Sequence, residues 1–149
     1  MSVYKSERKE SVVQFIVAVR TLRITTIRLC SKFPKSYRWI ATNNMLTLVA
    51  NAYTNCVRGN TIFLHDKLSP ADFAMRSECF RSAEMGVNAL LAEISFLYDY
   101  VRLGNNFFDD KFDYQKQFQN WTDEAQTALK LIRGVMKSDK ERWNSFRKT

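Results

Sequence analysis

The stretch FPKSYRWIATNNM, residues 33–45, separates two long segments whose apolar residues recur at helical spacing. Pro34 should end the first helix, because proline lacks a backbone N–H and disfavours helical backbone at the residue before it. Ser36 then offers a hydroxyl that can cap the next helix. The stretch therefore predicts a helix, a short turn and a second helix.

The apolar periodicity continues along the chain and predicts four helices, over residues 6–31, 37–62, 70–103 and 112–137. Only four glycines and two prolines interrupt a sequence that is 46% hydrophobic. Long helices joined by short loops are typical of an up-down-up-down four-helix bundle. Because 149 residues suffice for one core, we predict a single all-α domain over residues 1–149.

The third helix has the clearest start in the sequence, at SPAD, residues 69–72. Ser69 can cap the helix, Pro70 fits its first position, and Asp72 lies near the positive end of the helix dipole. Gly104 is expected to end this helix.

The fourth predicted helix carries Trp121 on its core line, so we expect this residue to be structural. Asp110 is the expected cap of the helix, and residues 138–149 are expected to form a frayed basic tail. Trp39 and Trp143 each lie close to Arg or Lys. They are candidates either for a partner surface or for packing against a bundle end.

The first predicted helix is apolar on more than one face. Its core stripe has regular three- and four-residue spacing and consists of Val12, Phe15, Ile16, Val19, Leu22, Thr26 and Cys30. The other face is basic, and its arginines Arg20, Arg23 and Arg28 interleave with Leu22, Ile24, Ile27 and Leu29. This apolar excess indicates a second protein neighbour.

The net charge of +8 is unevenly distributed. Residues 1–60 hold ten Lys and Arg against two acids, residues 61–128 hold six against eleven, and residues 129–149 hold seven against two. Basic ends around an acidic middle suit nucleic-acid binding, and they also suit head-to-tail docking of copies of one chain. Composition leaves both interpretations open.

The sequence offers little that could support catalysis. Cys30, Cys56 and Cys79 are far apart within apolar stripes, so we expect buried thiols rather than disulfides or a metal cluster. His65 is the sole histidine and falls in a predicted loop. The chain has no Glu-x-x-His step for a di-iron site and no glycine-rich phosphate loop. We predict no metal, no cofactor and no catalytic site.

The first residues, MSVYKSERKE, are charged, and the apolar run FIVAV that follows is too short for export or for spanning a bilayer. We therefore expect a cytoplasmic protein that does not associate with membranes.

One enzymatic pattern provides an alternative. RGNTIFLH, residues 58–65, resembles the arginine, spacer, histidine element of HEPN ribonucleases, all-helical proteins in which this pair cuts RNA across a dimer. The resemblance implies a ribonuclease that uses Arg58 and His65. Since the arginine falls near a predicted helix end and the histidine in a loop, their relative geometry is the open question.

A longer segment carries a second resemblance. SKFPKSYRWIATNNMLTLVANAYTNCVRGNTIF, residues 31–63, is similar to the second-helix signature of four-helix-bundle proteins encoded within ribosomal-RNA intervening sequences. It more closely resembles the accessory variability determinant (Avd) proteins of diversity-generating retroelements. In Avd-like sequences a Phe-Pro-Lys turn leads to Tyr-Arg-Trp, a polar Thr-Asn step and a long apolar helix. The matching residues are Phe33, Pro34, Lys35, Tyr37, Arg38, Trp39, Thr42 and Asn43.

The end of the chain agrees with this resemblance. WTDEAQTALKLIRGVMKSDKERW, residues 121–143, resembles the last helix of the Avd family. The shared positions are Trp121, Leu131, Ile132, Gly134, Lys137, Ser138, Asp139 and Arg142. The chain has Met136 where the family has an aromatic or bulkier residue before Lys-Ser-Asp.

The resemblance implies a ring-like homopentamer with a basic surface and no catalytic site. It further implies that the protein binds the reverse transcriptase of a retroelement and its structured RNA, or an RNA/DNA form of it, and supports mutagenic cDNA synthesis. The candidate nucleic-acid and partner-binding residues are Arg20, Arg23, Arg28, Lys35, Arg38, Trp39, Arg58, Arg133, Lys137, Lys140 and Arg142. Two alternatives are the HEPN-like ribonuclease and a self-associating bundle with only a structural role.

Overall fold

The computed structural model describes residues 13–104 and 113–148. Four α-helices account for most of them: α1 (Gln14–Cys30), α2 (Thr42–Asn60), α3 (Pro70–Leu103) and α4 (Tyr114–Arg147). A short 3₁₀ helix, Lys35–Arg38, lies between α1 and α2, and the described ranges contain no strand. Among these residues, no helix is both long and apolar enough to cross a bilayer.

The four helices enclose one core. Each helix packs against the next in the chain, and α4 also packs against α1. The most deeply buried large side chains come from all four helices and include Val19, Leu22, Met45, Val49, Phe80, Val87, Leu90, Ile94, Leu97, Trp121 and Ile132. For the residues that the structure describes, the prediction of an all-α protein with four long helices is confirmed.

The two long helices, α3 and α4, pack side by side in opposite directions. Arg76 near the beginning of α3 contacts Asp139 near the end of α4. Tyr98 near the end of α3 packs against Phe118 in the second turn of α4, with ring centroids 5.5 Å apart. The chain therefore returns along α3 when it forms α4.

The core stripe predicted for the first helix is confirmed from Phe15 to Cys30, since all of its described members are buried. Phe15 packs edge-on against Phe80 of α3, with ring centroids 5.4 Å apart. The predicted start of this helix, residues 6–12, and its stripe residue Val12 lie outside the described residues.

The second helix begins later than residue 37, where the sequence placed it. Ser36 lies inside the 3₁₀ helix and does not cap α2, whose N-cap Ala41 has no side-chain acceptor. The reason is Tyr37, which is only 2% exposed and stacks on Phe33 with ring centroids 5.4 Å apart. The tighter 3₁₀ backbone of residues 35–38 accompanies this burial of the ring.

The predicted bounds of the third helix, residues 70–103, are confirmed. The Ser69 hydroxyl accepts a hydrogen bond of 3.1 Å from the backbone N–H of Asp72, and Pro70 occupies the first position. Gly104 follows the last helical residue, and its N–H donates to the carbonyl of Tyr100. These local signals need no help from distant parts of the chain.

The predicted frayed tail, residues 138–149, is wrong for its described part, because α4 continues to Arg147. Three contacts hold this extension. Asp139 pairs with Arg76, Trp143 stacks on Phe73, and Arg142 donates to the carbonyl of Leu64. A helix end with such packing is part of the fold.

At the other end of α4, the side chain of Asp113 caps the helix by accepting a hydrogen bond of 3.1 Å from the backbone N–H of Lys116. Asp110, the cap predicted from the sequence, lies outside the described residues.

Arg76 is the centre of a buried polar cluster that joins three segments. Its Nε donates to Asp139 Oδ2 at 2.7 Å, and its Nη2 donates to Asp139 Oδ1 at 3.1 Å. Its Nη1 donates to the carbonyl of Ile62 at 2.7 Å, and the guanidinium lies 4.9 Å from the ring centroid of Phe80. The cluster ties α3 and α4 to the turn that follows α2.

We expect Asp139→Asn to lower the free energy of unfolding by about 3 kcal/mol, because the Arg76 guanidinium would remain buried without its counter-charge. Glu84→Gln is the matched control. Glu84 pairs with Arg133 on the surface, so its loss should change stability by less than about 1 kcal/mol. Urea unfolding measures both. Equal losses would contradict the central position of Arg76.

Two glycines should respond in opposite ways to replacement by alanine. A Cβ at Gly59 would lie 2.5 Å from Cε1 of Phe80, whereas a Cβ at Gly134 would meet nothing within 4 Å. Gly59→Ala should therefore destabilise by about 1–3 kcal/mol through overpacking. Gly134→Ala should stabilise by about 0.5–1 kcal/mol, because alanine loses less backbone entropy in a helix. Thermal unfolding of both variants checks the prediction, and a shift in the same direction would contradict it.

Candidate nucleic-acid interface

The candidate binding residues do not form one patch. Arg28, Lys35, Arg38 and Trp39 surround the turn between α1 and α2. We call these four residues the turn surface. A second group lies at the opposite end of the bundle, near the ends of α2 and α4. It consists of Arg58, Lys137, Lys140 and Arg142. The structure thus places these candidates at two separate ends of the bundle.

The position of Tyr37 determines which side chains of the turn surface face solvent. Because the Tyr37 ring points into the core, its neighbours Arg38 and Trp39 are directed outwards. Trp39 is 89% exposed, although the side chain of tryptophan is on average largely buried in folded proteins. Burial, with Tyr100 nearby, raises the pKa of the Tyr37 phenol above its ordinary value, so the ring remains neutral.

A pocket of about 310 Å³ opens beside this turn. Its wall includes Lys35 and Arg38, the polar side chains of Thr42 and Asn43, and Ile27 at the end of α1. Two cations, two hydrogen-bonding side chains and an exposed indole next to them suit a phosphate and a base.

The outer face of α1 continues from the turn surface. Arg20 is exposed, and so are the apolar side chains of Val17, Ile24 and Ile27, at 47%, 59% and 49%. Arg23 differs, since it is half-buried and its guanidinium lies 5.5 Å from the ring centroid of Tyr53. Arg23 therefore helps to pack α1 against α2.

At the opposite end, Lys137 and Lys140 border a cleft of about 550 Å³ between α3 and α4. The cleft is lined mainly by apolar atoms, among them those of Phe73 and Trp143. Arg142 donates to the carbonyl of Leu64, so it contributes to the fold there.

Arg133 is an exposed member of the predicted set that has an intramolecular partner. Its Nε donates to Glu84 Oε2 at 3.0 Å, across the α3–α4 interface. This contact partly satisfies its charge and makes Arg133 a weaker candidate for binding phosphate.

The three tryptophans have different environments. Trp121 is fully buried, and its Nε1 donates to the hydroxyl of Thr26 at 2.9 Å, so its predicted structural role is confirmed. Trp143 is 9% exposed and stacks on Phe73 with a centroid distance of 4.4 Å, which makes it part of the packing rather than of a partner surface. Trp39 alone among them presents its ring to solvent.

The prediction of buried thiols is confirmed, since Cys30, Cys56 and Cys79 are all buried and free. Burial raises the pKa of Cys30 and Cys56 to about 12. At neutral pH these thiols are protonated and unreactive. Within the described residues, no group of three or more His, Cys, Asp or Glu side chains is placed to hold a metal ion.

The two residues of the ribonuclease hypothesis both lie on the surface. Arg58 is in the last turn of α2, and His65 is in the connection to α3. The Nδ1 of His65 accepts a hydrogen bond of 3.2 Å from the backbone N–H of Lys67, which orients the imidazole within its own loop.

Sequence reasoning missed the buried pair of Arg76 and Asp139. Asp139 falls in the segment predicted as a frayed tail, and no charged residue is predicted in the core. A usable signal existed: Arg76 lies four residues before Phe80, on the buried face of a helix, where an arginine needs a counter-charge.

Comparisons of the chain with protein-family models, with curated proteins and with solved structures found no match.

Replacing the exposed and the stacked tryptophan should give opposite results. Trp39→Ala should change the free energy of unfolding by less than about 0.5 kcal/mol, because the ring makes little contact with the bundle. Trp143→Ala should cost about 3 kcal/mol, since it empties a stacked site between α3 and α4. Urea titrations of both variants measure this. A large loss for Trp39→Ala would place that ring inside the fold.

Proposed function

We propose that this protein is a non-catalytic accessory subunit of a diversity-generating retroelement. It binds the reverse transcriptase of the element and a structured RNA, and it supports mutagenic cDNA synthesis. In this proposal the chain is an up-down-up-down bundle, assembles as a ring-like homopentamer and acts in the cytoplasm.

One observation carries the proposal: the residues of the Avd-like motif divide into a buried and an exposed half. Phe33 and Tyr37 are buried and form the stacked pair that shapes the turn. Lys35, Arg38 and Trp39 of the same motif are exposed. The buried half explains the fold, whereas the exposed half has charge and aromatic surface that the bundle itself does not use. Partner binding accounts for the exposed half.

The physical mechanism is phosphate binding assisted by base stacking. Lys and Arg that contact phosphates release counterions, so the affinity falls steeply as the salt concentration rises. An exposed indole adds a stacking surface that tolerates any base, worth about 1–3 kcal/mol per base. Because phosphate contacts carry little sequence information, RNA shape and the docked polymerase would provide the specificity.

Assembly would multiply this surface. Five copies of a chain with net charge +8 carry about +40. The outer face of α1 is a suitable contact for a neighbouring protein, because Val17, Ile24 and Ile27 are each about half exposed there. Covering such side chains is favourable by about 25 cal/mol per Å² of apolar surface.

The RNA-binding part of the proposal is tested by Arg28→Glu/Arg38→Glu. At about 0.15 M salt we expect the dissociation constant for a structured RNA to rise more than tenfold, because two phosphate contacts become repulsive. Lys116→Glu/Lys130→Glu is a matched control, since it makes the same charge change on the exposed surface of α4. Filter binding over a salt series measures both. Equal weakening by the two variants would mean that total charge, not the turn surface, governs binding.

The identity of the partners is tested by affinity purification of the tagged protein from its host. Recovery of a reverse transcriptase together with one discrete RNA would support the accessory role. Recovery of neither, from a host that expresses the element, would leave a self-associating bundle. RNA cleavage that is lost in His65→Ala would instead support the ribonuclease hypothesis.

A further inference from the structure

The helix α3 has a second apolar stripe on the side that faces away from the core. Met85, Phe96 and Leu103 are 61%, 50% and 76% exposed, and Ala89 and Ala92 lie between the first two on the same face. Successive spacings of four, three and four residues from Met85 to Phe96 place these side chains in one row along the helix. Between residues 13 and 104 and between 113 and 148, no helix covers this row.

The row has a symmetric arrangement. Ala89 and Ala92 form its centre, Met85 precedes Ala89 by four residues, and Phe96 follows Ala92 by four. Small residues at the centre let the backbone of another helix approach closely, and large apolar residues on both sides fill the space where two crossing helices diverge. A helix with the same sequence, running in the opposite direction, therefore complements this row.

Charges extend the same symmetry. Arg81 lies eight residues before Ala89, Asp99 lies seven residues after Ala92, and both are exposed. On the helical wheel the two side chains flank the row on the same side, where antiparallel partner helices bring equivalent flanks together. Asp99 already contacts Arg102 at 3.4 Å, but both side chains of that pair are more than half exposed, so the pair is weak and easily exchanged.

The electrostatic environment also favours a second copy at this position. The exposed charges along the row, Glu78, Arg81, Asp99 and Arg102, cancel, and the half-buried Glu93 beside Ala92 adds one negative charge. The outer face of α1 has the opposite character, since residues 14–30 contain three arginines and no acid. Two α1 faces, with three positive charges each, would therefore repel each other much more strongly than two α3 faces, with one negative charge each.

We propose that the outer face of α3, comprising Arg81, Met85, Ala89, Ala92, Phe96 and Asp99, is a two-fold interface between two copies of this chain. The α3 helices cross antiparallel near Ala89 and Ala92. Met85 packs against Phe96 of the partner subunit, and Arg81 pairs with Asp99 of the partner subunit. Each of these contacts occurs twice, as in any isologous interface.

This interface is independent of the proposed function. A two-fold contact is saturated by two copies and cannot by itself build a ring of five, which requires a contact between different faces. If the ring forms, the α3 interface joins two rings. If it does not, the interface joins two single chains. In both cases the wild-type protein contains an even number of copies.

Sedimentation velocity of the full chain with Ala92→Glu tests the interface. Glutamate is a good helix former, so the bundle should stay folded, but the change places two carboxylates where the helices cross. We expect the mass to fall to half of the wild-type value. Thr127→Glu, on the exposed surface of α4, is the control and should keep the wild-type mass. A wild-type protein with one or five copies, or an unchanged mass for Ala92→Glu, would overturn the proposal.

A charge exchange tests the antiparallel register. Arg81→Glu alone and Asp99→Arg alone each oppose like charges at both ends of the interface, and we expect either to weaken self-association at least tenfold. An equal mixture of the two single variants should associate again, because each junction then joins opposite charges. Circular dichroism verifies that every variant is folded. If the mixture associates no better than either variant alone, the proposed pairing is wrong.

Discussion

The burial of Tyr37 determines how the chain passes from α1 to α2. Its ring stacks on Phe33 and meets Tyr100 of α3 edge-on, so three segments converge at one end of the bundle. The chain makes this connection through the 3₁₀ helix Lys35–Arg38, and α2 begins only at Thr42. The same turn directs Arg38 and Trp39 into solvent. The candidate interface is thus a consequence of a packing requirement.

The opposite end of the bundle is organised by electrostatics. Arg76 satisfies the carboxylate of Asp139 and also donates to a carbonyl in the turn after α2. Buried ion pairs of this kind often contribute little net stability, but they strongly penalise arrangements that leave one member unpaired. The pair therefore fixes the position of α4 relative to α3. It also anchors the last turns of α4, which contain Trp143.

Local signals determined how much of the fold could be predicted. The bounds of α3 follow from a serine cap, a proline at the first helical position and a terminal glycine, all adjacent in sequence to the ends that they define. The late start of α2 and the full length of α4 depend on contacts between residues far apart in the chain, such as Tyr37 with Tyr100 and Phe73 with Trp143. Periodicity contains no information on such contacts. For the same reason the sequence identified Arg38 and Trp39 as candidates but could not separate them from Lys137 and Lys140, which lie at the other end of the bundle.

We propose that the turn surface binds RNA and that the outer face of α3 binds a second copy of the chain. The proposed function depends on RNA binding at the turn surface. Ultraviolet crosslinking of the protein to a structured RNA, followed by mass spectrometry of the crosslinked peptides, tests it most directly. We predict adducts within residues 35–43, with Trp39 as the main position. Adducts confined to residues 137–143, or none at the turn, would contradict the account.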